Sequence, residues 1–119
     1  EVVKLLVDKG AGITVLNNSG RTPLYVASSN GHLEVVKLLV DKGADITVLN
    51  NRRWTPLNVA SSNGHREVVK LLFNKGANIT VPNNNGWMPL NAALSNGYLE
   101  VVKLLFNKGA DITVPNNNR

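Results

Sequence analysis

The chain has 119 residues, 43% of them apolar, a formal net charge of +5 and no cysteine, which suits one continuous core and excludes a disulfide scaffold, thiol chemistry and cysteine-based zinc sites. No stretch approaches the roughly 18 apolar residues of a membrane span, and the first residues lack the pattern of a signal peptide, so we expect no membrane contact and a reducing compartment such as the cytoplasm or nucleus. Lysines recur beside glutamates at helical spacing, as in Glu34 and Lys37, which predicts a solvated helix face and no nucleic-acid partner.

The sequence repeats itself with a constant period. The phrase Glu-Val-Val-Lys-Leu-Leu begins at Glu1, Glu34, Glu67 and Glu100, which gives an offset of 33 residues. Self-similarity at such a period predicts a solenoid, in which each unit buries its apolar face against its neighbours. We divide the single domain 1–119 as follows: half a repeat at 1–16, full repeats at 17–49, 50–82 and 83–115, and a stub at 116–119.

The first predicted helix of each unit is short. In the first full repeat it opens at Thr22-Pro23, because a threonine hydroxyl caps free N–H groups and proline has no N–H to lose there. Small residues line this helix. It ends at Asn30-Gly31, a dipeptide suited to a left-handed turn.

A second predicted helix begins near Leu33 and ends at Lys42-Gly43. Its apolar residues form one broad stripe. The β-prone segment 44–48 and the turn residues after it predict a finger that projects between helix pairs. Because small residues line the first helix and large ones the second, we expect a curved stack with the fingers and first helices on its concave side.

These motifs resemble the ankyrin repeat. The likeness is carried by Thr22-Pro23-Leu24-Tyr25-Val26-Ala27, then by Gly31-His32-Leu33-Glu34-Val35-Val36-Lys37-Leu38-Leu39, then by Gly43-Ala44-Asp45, and it recurs across nearly the whole chain. The resemblance implies an all-α solenoid with short β-hairpin fingers, arranged as a right-handed, L-shaped ankyrin-repeat stack. It also implies a protein–protein interaction module and not an enzyme.

Two kinds of departure from the family pattern concern the start of the first helix. The family's histidine after Thr-Pro-Leu is replaced by Tyr25, Asn58 and Asn91. We expect asparagine to substitute partly for the hydrogen bonds of the imidazole. Met88 stands where threonine would cap, at an expected cost of about 1 kcal/mol.

Another departure lies in a turn. Arg53 occupies the position filled by Gly20 and Gly86 in the neighbouring units. If that position is left-handed, a residue with a Cβ atom costs about 1 kcal/mol there. Arg53 is explained either by a function of its side chain or by sequence drift that the fold tolerates.

The ends of the sequence lack the polar capping repeats that the family often uses. We therefore expect apolar side chains of the half repeat, such as Val2 and Leu5, to be partly uncovered. Three explanations compete: a fragment of a longer array, an engineered chain, or end-to-end self-association through the uncapped terminal repeats.

The sequence predicts no catalytic, cofactor or metal site. His32 and His65 occupy the same position of successive units, where the resemblance implies packing and hydrogen bonding, and Tyr98 replaces them in the third. The acidic residues are dispersed singly, which argues against acid–base catalysis and a calcium loop. There is also no phosphate-binding glycine loop.

The family usually binds partners through its finger tips and the inner face of the first helix. Carried over position by position, this implies the following partner-binding residues: Asn18, Ser19, Arg21, Ser29, Asn30, Asn51, Arg52, Trp54, Ser62, Asn63, Asn84, Asn85, Trp87, Ser95 and Asn96. Trp54 and Trp87 occupy the same position on adjacent fingers and would form an aromatic ledge. Tryptophan is enriched in interface hot spots. In the competing interpretation each indole folds back over its own finger.

We therefore predict a protein-interaction module that docks one macromolecular partner on its concave face. The alternative is a structural or engineered repeat scaffold without a dedicated partner. The two differ in what the tryptophans do: only the first requires Trp54 and Trp87 for partner capture.

Overall fold

The computed structural model describes residues 20–79, 82, 84, 86 and 88–109. Six helices lie within this part of the chain: α1 Pro23–Ser29, α2 Leu33–Asp41, α3 Pro56–Ser62, α4 Arg66–Asn74, α5 Pro89–Asn96 and α6 Leu99–Asn107. They form three consecutive helix pairs whose first helices begin 33 residues apart. The predicted helical repeat stack is confirmed.

The first two helix pairs begin with the threonine cap that the sequence predicts. Thr22 Oγ1 accepts a hydrogen bond from the Tyr25 backbone N–H over 3.1 Å, and Thr55 Oγ1 accepts one from the Asn58 N–H over 3.0 Å. Both threonines are extended and precede a proline at the first helical position. The hydroxyl of Thr55 also donates to Asn58 Oδ1 over 2.5 Å. Asparagine at the histidine position therefore does take part in the cap.

The third pair starts differently, because Met88 has no hydroxyl group. Here the hydrogen bond runs the other way: the Met88 backbone N–H donates to Asn91 Oδ1 over 2.8 Å. Asn91 thus satisfies a backbone donor of the capping residue, as the glutamate of a capping box does. The two asparagines, Asn58 and Asn91, each support a helix start, but through different partners.

The core follows the predicted stripes and runs continuously through the stack. Its fully buried leucines and valines come from all three helix pairs: Leu24, Val36, Leu39, Leu57, Val68, Val69, Leu72, Val101 and Leu105. Successive first helices pack on one another more extensively than successive second helices do. Buried Ala27, Ala60 and Ala93 permit this close approach. The stack is therefore tighter on the first-helix side, as the small residues there predict.

The predicted β-hairpin fingers are not confirmed, since no strand occurs among the described residues. In the segment 44–48 a turn at Ile46 and Thr47 replaces the expected strand. Its cause is Asp45, whose Oδ1 accepts from the Thr47 N–H over 2.8 Å and from the Thr47 hydroxyl over 2.6 Å. Such local bonds between an aspartate and the backbone two residues on bend the chain and compete with strand pairing.

Candidate interaction surface

We call the exposed turns and first-helix ends of the stack the finger face. The described residues that the sequence assigns to it are Arg21, Ser29, Asn30, Asn51, Arg52, Trp54, Ser62, Asn63, Asn84, Ser95 and Asn96. Trp54, Ser29 and Ser62 are half-buried, and the others are exposed. Asn18, Ser19, Asn85 and Trp87 lie outside the described residues, so the aromatic ledge stays a prediction.

The turn at residues 50–54 is a compact unit organised by Asn50. The Asn50 side-chain Oδ1 accepts from the backbone N–H of Arg52 and of Trp54, each over 2.9 Å. Its backbone closes the turn as well: the Arg53 N–H donates to Asn50 O, and the Asn50 N–H donates to Trp54 O, both over 2.9 Å. Sequence reasoning missed Asn50, although an asparagine at the first position of a tight turn is its typical signal.

Arg53 is left-handed, with a φ of 63°, and no other non-glycine residue described has a positive φ. The matching glycines Gly20 and Gly86 have φ values of 76° and 77°. The position of Arg53 is therefore left-handed, which is the condition under which we expect a Cβ atom to be costly there. An exposed arginine occupies a backbone conformation that disfavours any Cβ atom, and this turn tolerates it.

Adjacent turns of the finger face touch each other. A Cβ atom placed on Gly20 would lie 2.5 Å from Asn51 Oδ1 and 3.2 Å from the Asn51 backbone nitrogen. On the other side, the Asn84 backbone N–H donates to Arg52 O over 3.1 Å. Because Gly20 and Asn51 are in contact, their chain neighbours Arg21 and Arg52 lie side by side on successive turns.

Arg21 and Tyr25 form the best-defined side-chain pair of this surface. The Arg21 Cζ atom lies 5.7 Å from the centroid of the Tyr25 ring, within the range of a cation–π contact. Burial raises the pKa of the Tyr25 phenol, while the positive charges of Arg21 and Arg52 act in the opposite direction. Both guanidinium groups therefore lie near one buried phenol, a pairing that the sequence analysis did not predict.

Asparagines of the finger face link successive helix pairs. Asn63 Nδ2 donates to the Ser29 carbonyl oxygen over 2.9 Å, and Asn96 Nδ2 donates to the Ser62 carbonyl oxygen over 2.7 Å. His65 Nε2 lies 2.9 Å from the same Ser29 oxygen. A carbonyl oxygen only accepts, so this ring nitrogen carries the proton. The structure thus gives Asn63, Asn96 and His65 a role in the stack, as the resemblance implied for His65.

Two rings pack against turn glycines between the helix pairs. A Cβ atom on Gly31 would lie 2.4 Å from His65 Nδ1, and one on Gly64 would lie 2.5 Å from Tyr98 Cδ1. Both glycines are left-handed. Tyr98 therefore replaces the histidine in packing, although the structure gives it no side-chain hydrogen bond among the described residues.

One groove lies among the described residues. A shallow groove of about 240 Å³ is lined by six residues, Ile46, Thr47, Leu49, Thr55, Ala77 and Asn78, and its volume lies below the roughly 300 Å³ at which ligand sites begin. Histidine and acidic side chains in this part of the chain form no group of three that could hold a metal ion. No described helix is long and apolar enough to cross a membrane.

The fold and the surface together define a helical repeat protein with a row of polar turns, the first two of which carry arginines. The family model for ankyrin repeats, in three copies, matches residues 1–50 and 45–116. The chain belongs to the ankyrin-repeat family. No curated protein sequence matches the chain. Ankyrin repeats are generally protein-interaction modules, and the family is generally non-enzymatic.

Proposed function

We propose that the chain is a protein-interaction module that docks one partner protein on the finger face. The observation that carries the proposal is that hydrogen bonds and contacts between neighbours fix the turns. Asn50 fixes the 50–54 turn through four hydrogen bonds, and neighbouring turns are in contact. A surface ordered before binding loses less conformational entropy when a partner docks.

Trp54 supports the same proposal. Its backbone N–H and carbonyl oxygen both bond to Asn50, and the residue is half-buried. A large aromatic side chain on a backbone fixed in this way supplies contact area, and tryptophan is enriched among interface hot spots. The first-helix side of the stack, where Ser29 and Ser62 lie, adds polar groups at the rim.

Partner capture by the immobilised chain tests the proposal, with Trp54→Ala/Trp87→Ala as the variant. The expected result is loss of the captured protein with unchanged helicity by circular dichroism. Lys70→Gln/Lys103→Gln, on the second helices, is the matched control and should capture as the parent chain does. Undiminished capture by the tryptophan variant would contradict a finger-face mechanism.

A second candidate is a self-stacking scaffold, favoured by the apolar side chains on the last described helix pair. Leu94, Leu99 and Phe106 are 50%, 60% and 55% exposed. The positions that match Leu94 and Phe106 in the preceding unit are covered: Ser61 is fully buried, and Lys108 Nζ lies 5.2 Å from the centroid of the Phe73 ring. A helix pair of a second copy would cover these side chains in the same register.

Light scattering over a range of concentrations tests the scaffold. A mass that rises from 12.9 kDa with concentration, and that Leu94→Ser abolishes, supports stacking of copies. Val26→Ser is the control, because Val26 is 41% exposed but lies on the first described pair. A constant monomer mass would contradict the scaffold and leave the finger face as the binding surface.

A further inference from the structure

The charged side chains of the described residues are divided between two sides of the stack. The described carboxylates belong to the second helices or to the loop after α2: Glu34, Asp41, Asp45, Glu67 and Glu100. Several of them lie beside cations, as in the pairs Lys37 with Glu34 and Lys103 with Glu100. The second-helix side therefore mixes charges of both signs, with five carboxylates and seven lysines or arginines among the described residues.

The first helices and the turns that lead into them carry positive charge alone. The segments 20–32, 48–65 and 82–98 contain no aspartate or glutamate and three arginines, Arg21, Arg52 and Arg53. The structure gives Arg52 and Arg53 no carboxylate partner among the described residues, and both are exposed. Arg21 lies over the Tyr25 ring and adds its positive charge to this surface.

The three arginines are also close together. Arg52 and Arg53 share one turn, and the contact between Gly20 and Asn51 sets Arg21 beside that turn. Arg53 adopts a left-handed conformation that glycine occupies in both neighbouring units. Only this unit bears that backbone strain, and the strained residue adds a third cation beside the other two. Such strain is typical of functional surfaces.

We propose that Arg52 and Arg53, beside the positive charge of Arg21, bind an acidic segment of the partner protein, an extended stretch that carries several aspartate or glutamate side chains. This inference rests on the proposed function and specifies the chemistry of the partner. Guanidinium groups form bidentate hydrogen bonds with carboxylates. A positive surface without competing carboxylates also steers an acidic partner toward it.

The extent of the charge favours a peptide over a nucleic acid. A nucleic-acid backbone is bound by cations repeated along its whole path. Here the arginines are confined to the first two turns, and the third turn has exposed Asn84 and half-buried Gly86 at the positions of Asn51 and Arg53. The cluster therefore fits a short run of carboxylates flanked by neutral polar contacts.

Fluorescence anisotropy with a labelled peptide of alternating glutamate and glycine tests the inference. The chain should bind this peptide at low salt and lose affinity as salt rises. Arg52→Gln/Arg53→Gly should weaken binding about tenfold or more, as expected when close charge pairs are removed. Since Arg53→Gly relieves backbone strain, a loss of binding would not come from unfolding, which circular dichroism verifies.

Lys70→Gln/Lys103→Gln is the matched control, because it removes the same net charge from the second-helix side. The inference is overturned if both variants weaken binding equally or if the glutamate peptide does not bind at low salt. It is also overturned if a single-stranded oligonucleotide of equal charge binds more tightly than the peptide. Partner capture by the Trp54→Ala/Trp87→Ala variant distinguishes a failure of this inference from a failure of the proposed function. If the variant loses capture while the glutamate peptide fails to bind the parent chain, the proposed function stands and the inference of an acidic segment is wrong.

Discussion

The side-chain amide of Asn63 donates to the backbone carbonyl of Ser29 over 2.9 Å and so joins two successive units of the stack. The same bond recurs one unit later between Asn96 and Ser62. Because repeat proteins are stabilised largely by contacts between neighbouring units, such bonds contribute to the interface term of their stability.

We expect Asn63→Ala to lower the free energy of unfolding by about 1 kcal/mol, the typical net contribution of one hydrogen bond. Urea denaturation followed by circular dichroism measures it. Asn30→Ala is the matched control, since Asn30 occupies the same position but has no side-chain hydrogen bond among the described residues. If both substitutions cost the same, the bond does not stabilise the stack.

The helices were predictable from the sequence because local chemistry marks the start of the first helices and the end of the second helices. Thr22 and Thr55 cap the helices they precede, as expected, and second helices end at left-handed glycines such as Gly43. These signals depend on residues adjacent in the chain. The 33-residue period then placed the units in register, so the stack followed from the sequence alone.

The details of the finger face were not predictable in the same way. Asp45 bends a segment whose composition favours a strand, because one side chain competes with strand pairing. The contact between Arg21 and Tyr25 and the amide bond of Asn63 with the preceding unit depend on distances across the fold. Such contacts depend on side-chain conformations, which a repeat pattern does not specify.

Gly64→Ala should destabilise the chain more than Gly76→Ala. Both glycines are left-handed, with φ values of 79° and 99°, so each substitution pays a backbone cost of about 1 kcal/mol. Only at Gly64 would the new methyl group lie 2.5 Å from the Tyr98 ring, whereas nothing lies within 4 Å at Gly76. Urea denaturation of both variants measures the difference.

A second substitution isolates the ring contact. Tyr98→Ala removes the atoms that the methyl group would meet, so the extra cost of Gly64→Ala should shrink in that background. A double-mutant cycle gives the coupling free energy. A coupling near zero would mean that the ring moves aside freely and that the glycine is needed only for its φ angle.

Arg53→Gly should raise the free energy of unfolding by about 1 kcal/mol, because glycine adopts positive φ without a Cβ clash. Arg52→Gly is the comparison, since Arg52 is not left-handed and gains nothing from the added flexibility. Thermal and urea denaturation should rank the variants in that order. A destabilised Arg53→Gly would show that the arginine side chain contributes more to the turn than its backbone conformation costs.

Tyr25 should make stability fall at alkaline pH. Burial raises the pKa of its phenol in the folded chain above the ordinary value of 10.0, so the unfolded chain loses this proton first. The stabilising difference is fully present below the unfolded pKa and is lost as the pH rises through the folded pKa. Tyr25→Phe has no such proton, so its free energy of unfolding should decline less between neutral pH and pH values above about 10.

The measurement is urea denaturation at a series of alkaline pH values. Tyr98→Phe is the matched control, because it removes a phenol that is 40% exposed and leaves the buried one in place. Lysine deprotonation affects all the proteins alike, so the comparison isolates Tyr25. Parallel pH profiles for the parent chain and Tyr25→Phe would show that the Tyr25 hydroxyl is as well solvated in the folded chain as in the unfolded one.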